Sequence, residues 1–162
     1  MCMKPFLVSL IVAAATFAPA PARAAGEVKL SFVAPEKFSD IGTGTVERER
    51  VLRSLEDFLQ SLGAKALPDG QTLELAITNI DLAGETRFTP RGDVRVLRGG
   101  TDWPRIELRY TLRAGATVLK SGEARLSDSA YLSGRRTPDL DTEHGHEKRM
   151  LRSWFTETFG QP

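Results

Sequence analysis

The sequence is poor in cysteine, with Cys2 as the one thiol among 162 residues. A single thiol cannot form an intrachain disulfide, and the rest of the chain offers neither a cysteine nucleophile nor a thiolate ligand for zinc or an iron–sulfur cluster. The sequence also lacks a Gly-x-Ser-x-Gly turn, a His-Glu-x-x-His pair and a phosphate-binding glycine loop. It therefore nominates no catalytic residue and no cofactor, and it favours a non-enzymatic protein.

The chain also lacks an excess of charge of either sign. It has 22 Lys and Arg against 21 Asp and Glu, and a formal net charge of +1. Because nucleic-acid-binding domains are strongly basic, we expect no nucleic-acid partner. Charged residues make up 27% of the chain and hydrophobic residues 41%, which is typical of an ordinary soluble globular protein.

The N-terminal apolar run is too short to cross a bilayer. It extends from Phe6 to Ala18, follows Lys4 and precedes the small residues Ala20 to Ala24, whereas a transmembrane helix needs roughly 20 apolar residues. This layout is typical of a secretory signal peptide. We expect cleavage near Ala24, which would leave residues 25–162 as a periplasmic protein without a transmembrane segment. Cys2 precedes the run, so it is not the lipidated cysteine of a lipoprotein.

Two hydrophobic periods alternate along the rest of the chain. Period-two alternation predicts strands at residues 27–33 and 73–82 and a hairpin formed by residues 106–112 and 117–126. Helical spacing predicts a helix from Val46 that ends at Gly63, and a second helix that starts after Asp141-Thr142-Glu143 and runs through Phe159. Residues 84–104 are predicted to be an extended loop or a ragged edge strand. The order strand, helix, strands, helix predicts one α+β domain over residues 25–162. Its sheet would be largely antiparallel, with about four strands, and two amphipathic helices would cover one face.

Arginines are concentrated in residues 84–113, where seven of them stand against four acids, a local net charge of +3. Arg105, Arg109 and Arg113 fall on the face of one strand that is opposite its apolar side chains, where solvent-exposed charges are expected. The others could contact an anionic partner through bidentate hydrogen bonds, with a tryptophan as an apolar anchor. The candidate contact residues are Arg87, Arg91, Arg95, Arg98 and Trp103.

A second candidate site is the acidic and histidine-rich stretch 139–147. His144, His146 and Asp141 are the candidate metal ligands, since imidazoles and carboxylates are the metal donors that remain in a chain without further thiols. Residues two apart on a helix point to different sides, so the two histidines converge only if the helix starts after His146. The alternative interpretation is a solvated acidic first turn that the helix dipole favours.

Short segments spread along the chain resemble the bacterial domain-of-unknown-function family DUF3016. The segments that carry this resemblance are residues 28–32, 34–40, 67–73, 81–84, 94–96, 103–106, 128–132 and 147–154. The resemblance implies an exported bacterial protein without an assigned activity, and it transfers no catalytic residue. An aromatic residue is common in the family at the position of His146, which weakens the metal hypothesis.

The sequence therefore leaves two functions open. The favoured one is a periplasmic binding or envelope-associated module that recognises an envelope protein or an anionic envelope component through the arginine-rich segment. The alternative is a metal-binding protein or metal-dependent hydrolase that uses residues 139–147.

Overall fold

The protein is α+β, as the sequence predicts. A computed structural model describes residues 25–134 and 136–160; the predicted signal peptide lies outside these residues. The elements, in chain order, are β1 (Glu27–Phe32), α1 (Thr45–Ala66), β2 (Gln71–Asp81), β3 (Glu85–Thr89), β4 (Gly92–Val96), β5 (Arg105–Ala114), β6 (Thr117–Ser127) and α2 (Gly145–Phe159), with short 3-10 turns at Pro35–Lys37 and Pro138–Asp141.

The main sheet has four strands in the order β1-β2-β5-β6. β1 runs parallel to β2, while β2 pairs antiparallel with β5 and β5 with β6. The sheet is thus mixed but largely antiparallel. The pairing of β2 with β5 shifts register between Ile77 and Asn79, and this bulge lets both Ile77 and Ile80 point into the core, where neither is exposed.

One face of the sheet carries both helices. Apolar side chains of β2 and β5 pack there in a single cluster with residues of α1 and α2, including Leu55, Leu59, Leu151 and Phe155. Each of these four side chains is essentially inaccessible to solvent. The apolar stripes of the two helices therefore form the core with the alternating apolar residues of the sheet, as their periods predict.

The sequence predicts that helix α1 ends at Gly63, and this prediction is wrong. The helix continues to Ala66, and the N–H of Leu67 donates to the carbonyl of Gly63. Gly63 is buried, and a Cβ at this position would overlap the Val28 side chain of β1. The glycine therefore allows α1 to approach β1 closely instead of ending the helix.

Residues 84–104 are more ordered than the expected loop or ragged edge strand. They contain the antiparallel β3–β4 hairpin, which forms a two-stranded sheet separate from the main one. Helix α2 starts at Gly145, after the predicted capping segment Asp141-Thr142-Glu143 and the left-handed His144 with φ 56°. Within residues 25–134 and 136–160, no helix has the length and apolar character that spanning a membrane requires.

Candidate functional site

The base of the β3–β4 hairpin is fixed by Arg95. Its guanidinium donates to both carboxylate oxygens of Asp40, over 2.9 and 3.0 Å, and to the carbonyl oxygens of Ala83 and Gly84, over 3.2 and 3.1 Å. A further bond of 3.3 Å reaches the hydroxyl of Thr86. The sequence predicts Arg95 as a partner-contact residue, but its guanidinium forms hydrogen bonds within the protein. These bonds join the hairpin to the segment before α1.

The tip of the hairpin differs from its base in charge pairing. Arg87 and Arg91 are exposed, and neither side chain forms an ion pair or hydrogen bond with any other residue that the structure describes. Phe88, between them in sequence, has 76% of its surface exposed. Arg98, after β4, reaches Glu85 over 3.7 Å with both side chains about half exposed. The tip therefore presents two unpaired cations beside an exposed aromatic ring.

Trp103 lies in a structured loop and is half-buried. The guanidinium of Arg105 lies 4.6 Å from the centre of its ring. The preceding Asp102 organises this loop, because its carboxylate accepts hydrogen bonds from the N–H of Arg98 at 2.8 Å and from the hydroxyl of Tyr131 at 3.0 Å. The hydrogen bond from Arg98 is the main cause that lowers the pKa of Asp102. One face of the indole is thus already covered by a side chain of the same protein.

The remaining arginines of the segment follow the alternation that their strand predicts. Arg105, Arg109 and Arg113 lie on the face of β5 away from the core, and each pairs with an acid on a neighbouring strand. The pairs are Arg105 with Asp81 at 2.7 Å, Arg109 with Glu123 at 3.8 Å and Arg113 with Glu74 at 3.3 Å. Seven arginines give this segment its positive charge. Among the described residues, Arg87 and Arg91 are the two of these seven that form no ion pair with an acidic side chain.

A cavity of about 260 Å³ lies between the hairpin base and the start of α2. Leu82, Ala83, Leu97 and Leu140 form part of its wall. Its polar lining comes from Arg95, Thr142, His144, His146 and Glu147. The two sequence regions that we singled out, the arginine-rich segment and the stretch 139–147, therefore meet at this cavity.

Glu147 is the most enclosed carboxylate of the cavity. It is 3% exposed, and its Oε1 accepts a 2.7 Å hydrogen bond from the N–H of Ala83. Burial raises the pKa of Glu147, and this effect outweighs the opposing one of the Ala83 hydrogen bond. The side chain therefore joins the first turn of α2 to the connection between β2 and β3 at Ala83, and its acidity is weakened.

Both histidines line the same cavity although they are only two residues apart. The left-handed backbone of His144 lets α2 start at Gly145, so only His146 belongs to the helix. Burial lowers the pKa of both imidazoles, and among the described residues neither Nδ1 atom has a hydrogen-bond partner. The ring of His146 packs edge-on against Tyr131, with centroids 4.9 Å apart. Burial thus favours the neutral form of both groups.

Asp141, the third predicted metal ligand, points elsewhere. It is exposed and accepts a 2.6 Å hydrogen bond from Arg136, and it does not line the cavity of the two histidines. Asp139 is buried and engaged by Arg152 through two bonds of 2.8 Å. Across residues 25–134 and 136–160, no group of three His, Cys, Asp or Glu side chains has the arrangement of a metal site. Metal binding by His144, His146 and Asp141 stays an untested prediction.

Phe88 escaped the sequence analysis, whereas Glu147 was included in the stretch 139–147 but was not recognised as a buried acid. Phe88 was not singled out because residues 84–104 were interpreted as a loop or a ragged edge strand. Thr86 and Phe88 do alternate with the charged Glu85 and Arg87 just before the turn at Pro90-Arg91. Glu147 lies four residues before Leu151 and seven before Trp154, on the apolar stripe of α2. A carboxylate at a core-facing helical position is a recognisable signal of a buried acid.

The fold and this site define a small α+β protein with a separate, largely exposed hairpin and a modest cavity at the base of that hairpin. A family model described as "Protein of unknown function (DUF3016)" matches residues 26–157, and the chain belongs to this family. No curated protein and no solved structure matches the chain. The resemblance that the short segments indicated is thereby confirmed.

Proposed function

We propose that the protein is a binding module that attaches to an anionic component of the cell envelope through the tip of the β3–β4 hairpin. One observation carries this proposal: Arg87 and Arg91 have no acidic partner within the described chain, while Phe88 is 76% exposed between them. Arginine binds carboxylate and phosphate groups by paired hydrogen bonds, and an adjacent aromatic ring adds apolar contact area.

The hairpin base supports this role because it fixes the tip. Arg95 bonds to Asp40, and the hydroxyl of Thr43 donates to Asp93 of β4 over 3.1 Å. A loop that is fixed before it binds loses less conformational entropy on binding than a mobile one. In this proposal Arg87, Arg91 and Phe88 contact the partner and Arg98 contributes from the side, while Arg95 and Trp103 position the hairpin and the loop that follows it.

We also propose that the protein is exported and works in the periplasm after cleavage near Ala24. The charged start, the short apolar run and the small residues before Ala24 support this compartment. The family match begins at residue 26, just after the expected cleavage point. Cell fractionation followed by N-terminal sequencing tests it: a periplasmic chain that starts at Ala25 supports export, and a cytosolic chain that retains Met1 contradicts it.

Sedimentation with isolated cell envelopes tests the binding function. The variant Arg87→Gln/Arg91→Gln removes both unpaired cations, and Arg109→Gln/Arg125→Gln removes two exposed arginines from the main sheet. The control arginines already pair with Glu123 and Glu107 at 3.8 and 3.9 Å. We expect wild-type protein and the control variant to pellet with envelopes in a salt-sensitive manner and the hairpin variant to stay in solution. Equal pelleting of the two variants would remove the proposal.

A further inference from the structure

We propose that the anionic component is a phospholipid bilayer, into whose headgroup region the hairpin tip inserts Phe88 while Arg87 and Arg91 bind lipid phosphates. This inference rests on the proposed binding function and names its partner. It starts from the faces of the hairpin. Phe88 pairs across the strands with Asp93, whereas Arg87 pairs with Val94, which lies on the opposite face.

Exposed apolar side chains therefore occupy both faces of the tip. Phe88 is 76% exposed on one face and Val94 is 48% exposed on the other. A protein partner that contacts the flat side of a hairpin covers one face and leaves the other in water. A bilayer interface surrounds an inserted tip, so it accommodates apolar groups on both faces at once.

The charges of the tip fit the same environment. Arginine side chains can lay their aliphatic stems along apolar surface while the guanidinium stays at the level of the phosphates. Asp93, the one acid between residues 86 and 101, accepts a hydrogen bond from Thr43 in the segment before α1. This hydrogen bond holds the carboxylate of Asp93 against the main domain. The side chains of Arg87 and Arg91 form no hydrogen bond or ion pair with any described residue.

Vesicle sedimentation with two lipid compositions tests the inference. Wild-type protein is mixed with vesicles of phosphatidylcholine alone or with part of it replaced by phosphatidylglycerol. We expect binding to the anionic vesicles only, and a decrease of about twenty-fivefold for Arg87→Gln/Arg91→Gln, since each surface arginine contributes about fivefold. We expect Phe88→Ala to weaken binding about tenfold. The control Arg109→Gln/Arg125→Gln should bind like wild type.

A spectroscopic variant reports insertion directly. Phe88→Trp places an indole at the tip, whose emission should shift to shorter wavelength on anionic vesicles and be quenched by brominated acyl chains. Wild-type protein with Trp103 and Trp154 gives the background. All variants are compared in the same processed form of the chain, and their unfolding transitions are measured first, so that a folding defect is not taken for a binding defect.

The outcomes separate this inference from the proposed function. Arginine-dependent binding to envelopes without binding to anionic vesicles would overturn the lipid inference and leave a protein or glycan as the partner. Binding to both vesicle types that ignores the hairpin arginines would also overturn it. If neither envelopes nor vesicles depend on Arg87 and Arg91, both proposals fail.

Discussion

Replacing Arg95 by methionine should weaken the attachment of the β3–β4 hairpin by about 2 kcal/mol. Removing one partner of a fully buried ion pair costs about 3–5 kcal/mol, whereas an exposed pair contributes about 0–1 kcal/mol. The side chains of Arg95 and Asp40 are 22% and 30% exposed, so this pair lies between the two limits. Methionine retains most of the aliphatic stem, so the lost free energy of attachment comes from the guanidinium contacts.

Trypsin cleavage under native conditions measures how often the hairpin detaches from the rest of the domain. Arg87 and Arg91 are cleavage sites within the hairpin, and cleavage follows the fraction of molecules whose hairpin is open when opening and closing are fast. A loss of about 2 kcal/mol raises that fraction about thirtyfold. Urea unfolding, recorded in parallel, shows how much of the loss reaches the whole domain.

Arg98→Met is the matched control, because it removes one arginine and one trypsin site from the same segment. Arg98 contacts Glu85 only over 3.7 Å, and their side chains are 46% and 58% exposed. We expect a change within about 0.5 kcal/mol. A double-mutant cycle of Arg95→Met with Asp40→Asn should show strong coupling between the two changes. Equal cleavage rates for the Arg95 and Arg98 variants, or additive effects in the cycle, would refute the assignment of Arg95 as the hairpin anchor.

Three further predictions concern the cavity and the core. Burial lowers the pKa of His144 and His146, so the contribution of these two groups to the free energy of unfolding should decrease as the pH falls below 6.5, and urea titrations of His144→Gln/His146→Gln should lack this contribution. Burial raises the pKa of Glu147 above its ordinary 4.5, so its contribution has the opposite sign and decreases as the pH rises from 4.5 towards the folded pKa; Glu147→Gln, which keeps an acceptor for its backbone partner, should therefore lose more stability than wild type on acidification to pH 4.5. Gly63→Ala should destabilise by about 1–2 kcal/mol in thermal unfolding despite alanine's helix propensity, because its Cβ overlaps Val28; in a Val28→Ala background the penalty should disappear.

The elements that build the core were predictable because each has a period that repeats along the chain. The stripe of α1 and the alternation of β5 are visible as soon as residues are counted, and the structure buries the same side chains, Leu55, Leu59, Ile106 and Leu108. The β3–β4 hairpin was missed because it buries no apolar face of its own. Its strand residues are mostly exposed, so alternation of hydrophobicity, the primary sign of a half-buried strand, is weak there.

The candidate site depends on contacts between residues far apart in the sequence, which no local pattern reveals. Asp40 and Arg95 are 55 residues apart, and nothing in the sequence around Arg95 distinguishes it from Arg87 or Arg91. The convergence of His144 and His146 occurs with a left-handed backbone at His144, a conformation that is uncommon for residues other than glycine. Local sequence reasoning therefore singled out the two regions that meet at the cavity but could not assign contacts to individual side chains.

Ion pairing within the protein limits how many arginines of residues 84–113 remain available for an anionic partner. Counting residues 84–113 suggests a broad basic surface, yet most of its arginines are neutralised by acids on neighbouring elements, in the pairs Arg95–Asp40, Arg98–Glu85, Arg105–Asp81, Arg109–Glu123 and Arg113–Glu74. Two unpaired cations give only modest attraction in physiological salt, because exposed charges are screened beyond about 8 Å. The proposed attachment through this hairpin would therefore need the apolar contribution of Phe88 as well as the arginines, and in that case the loss of either should be enough to release the protein.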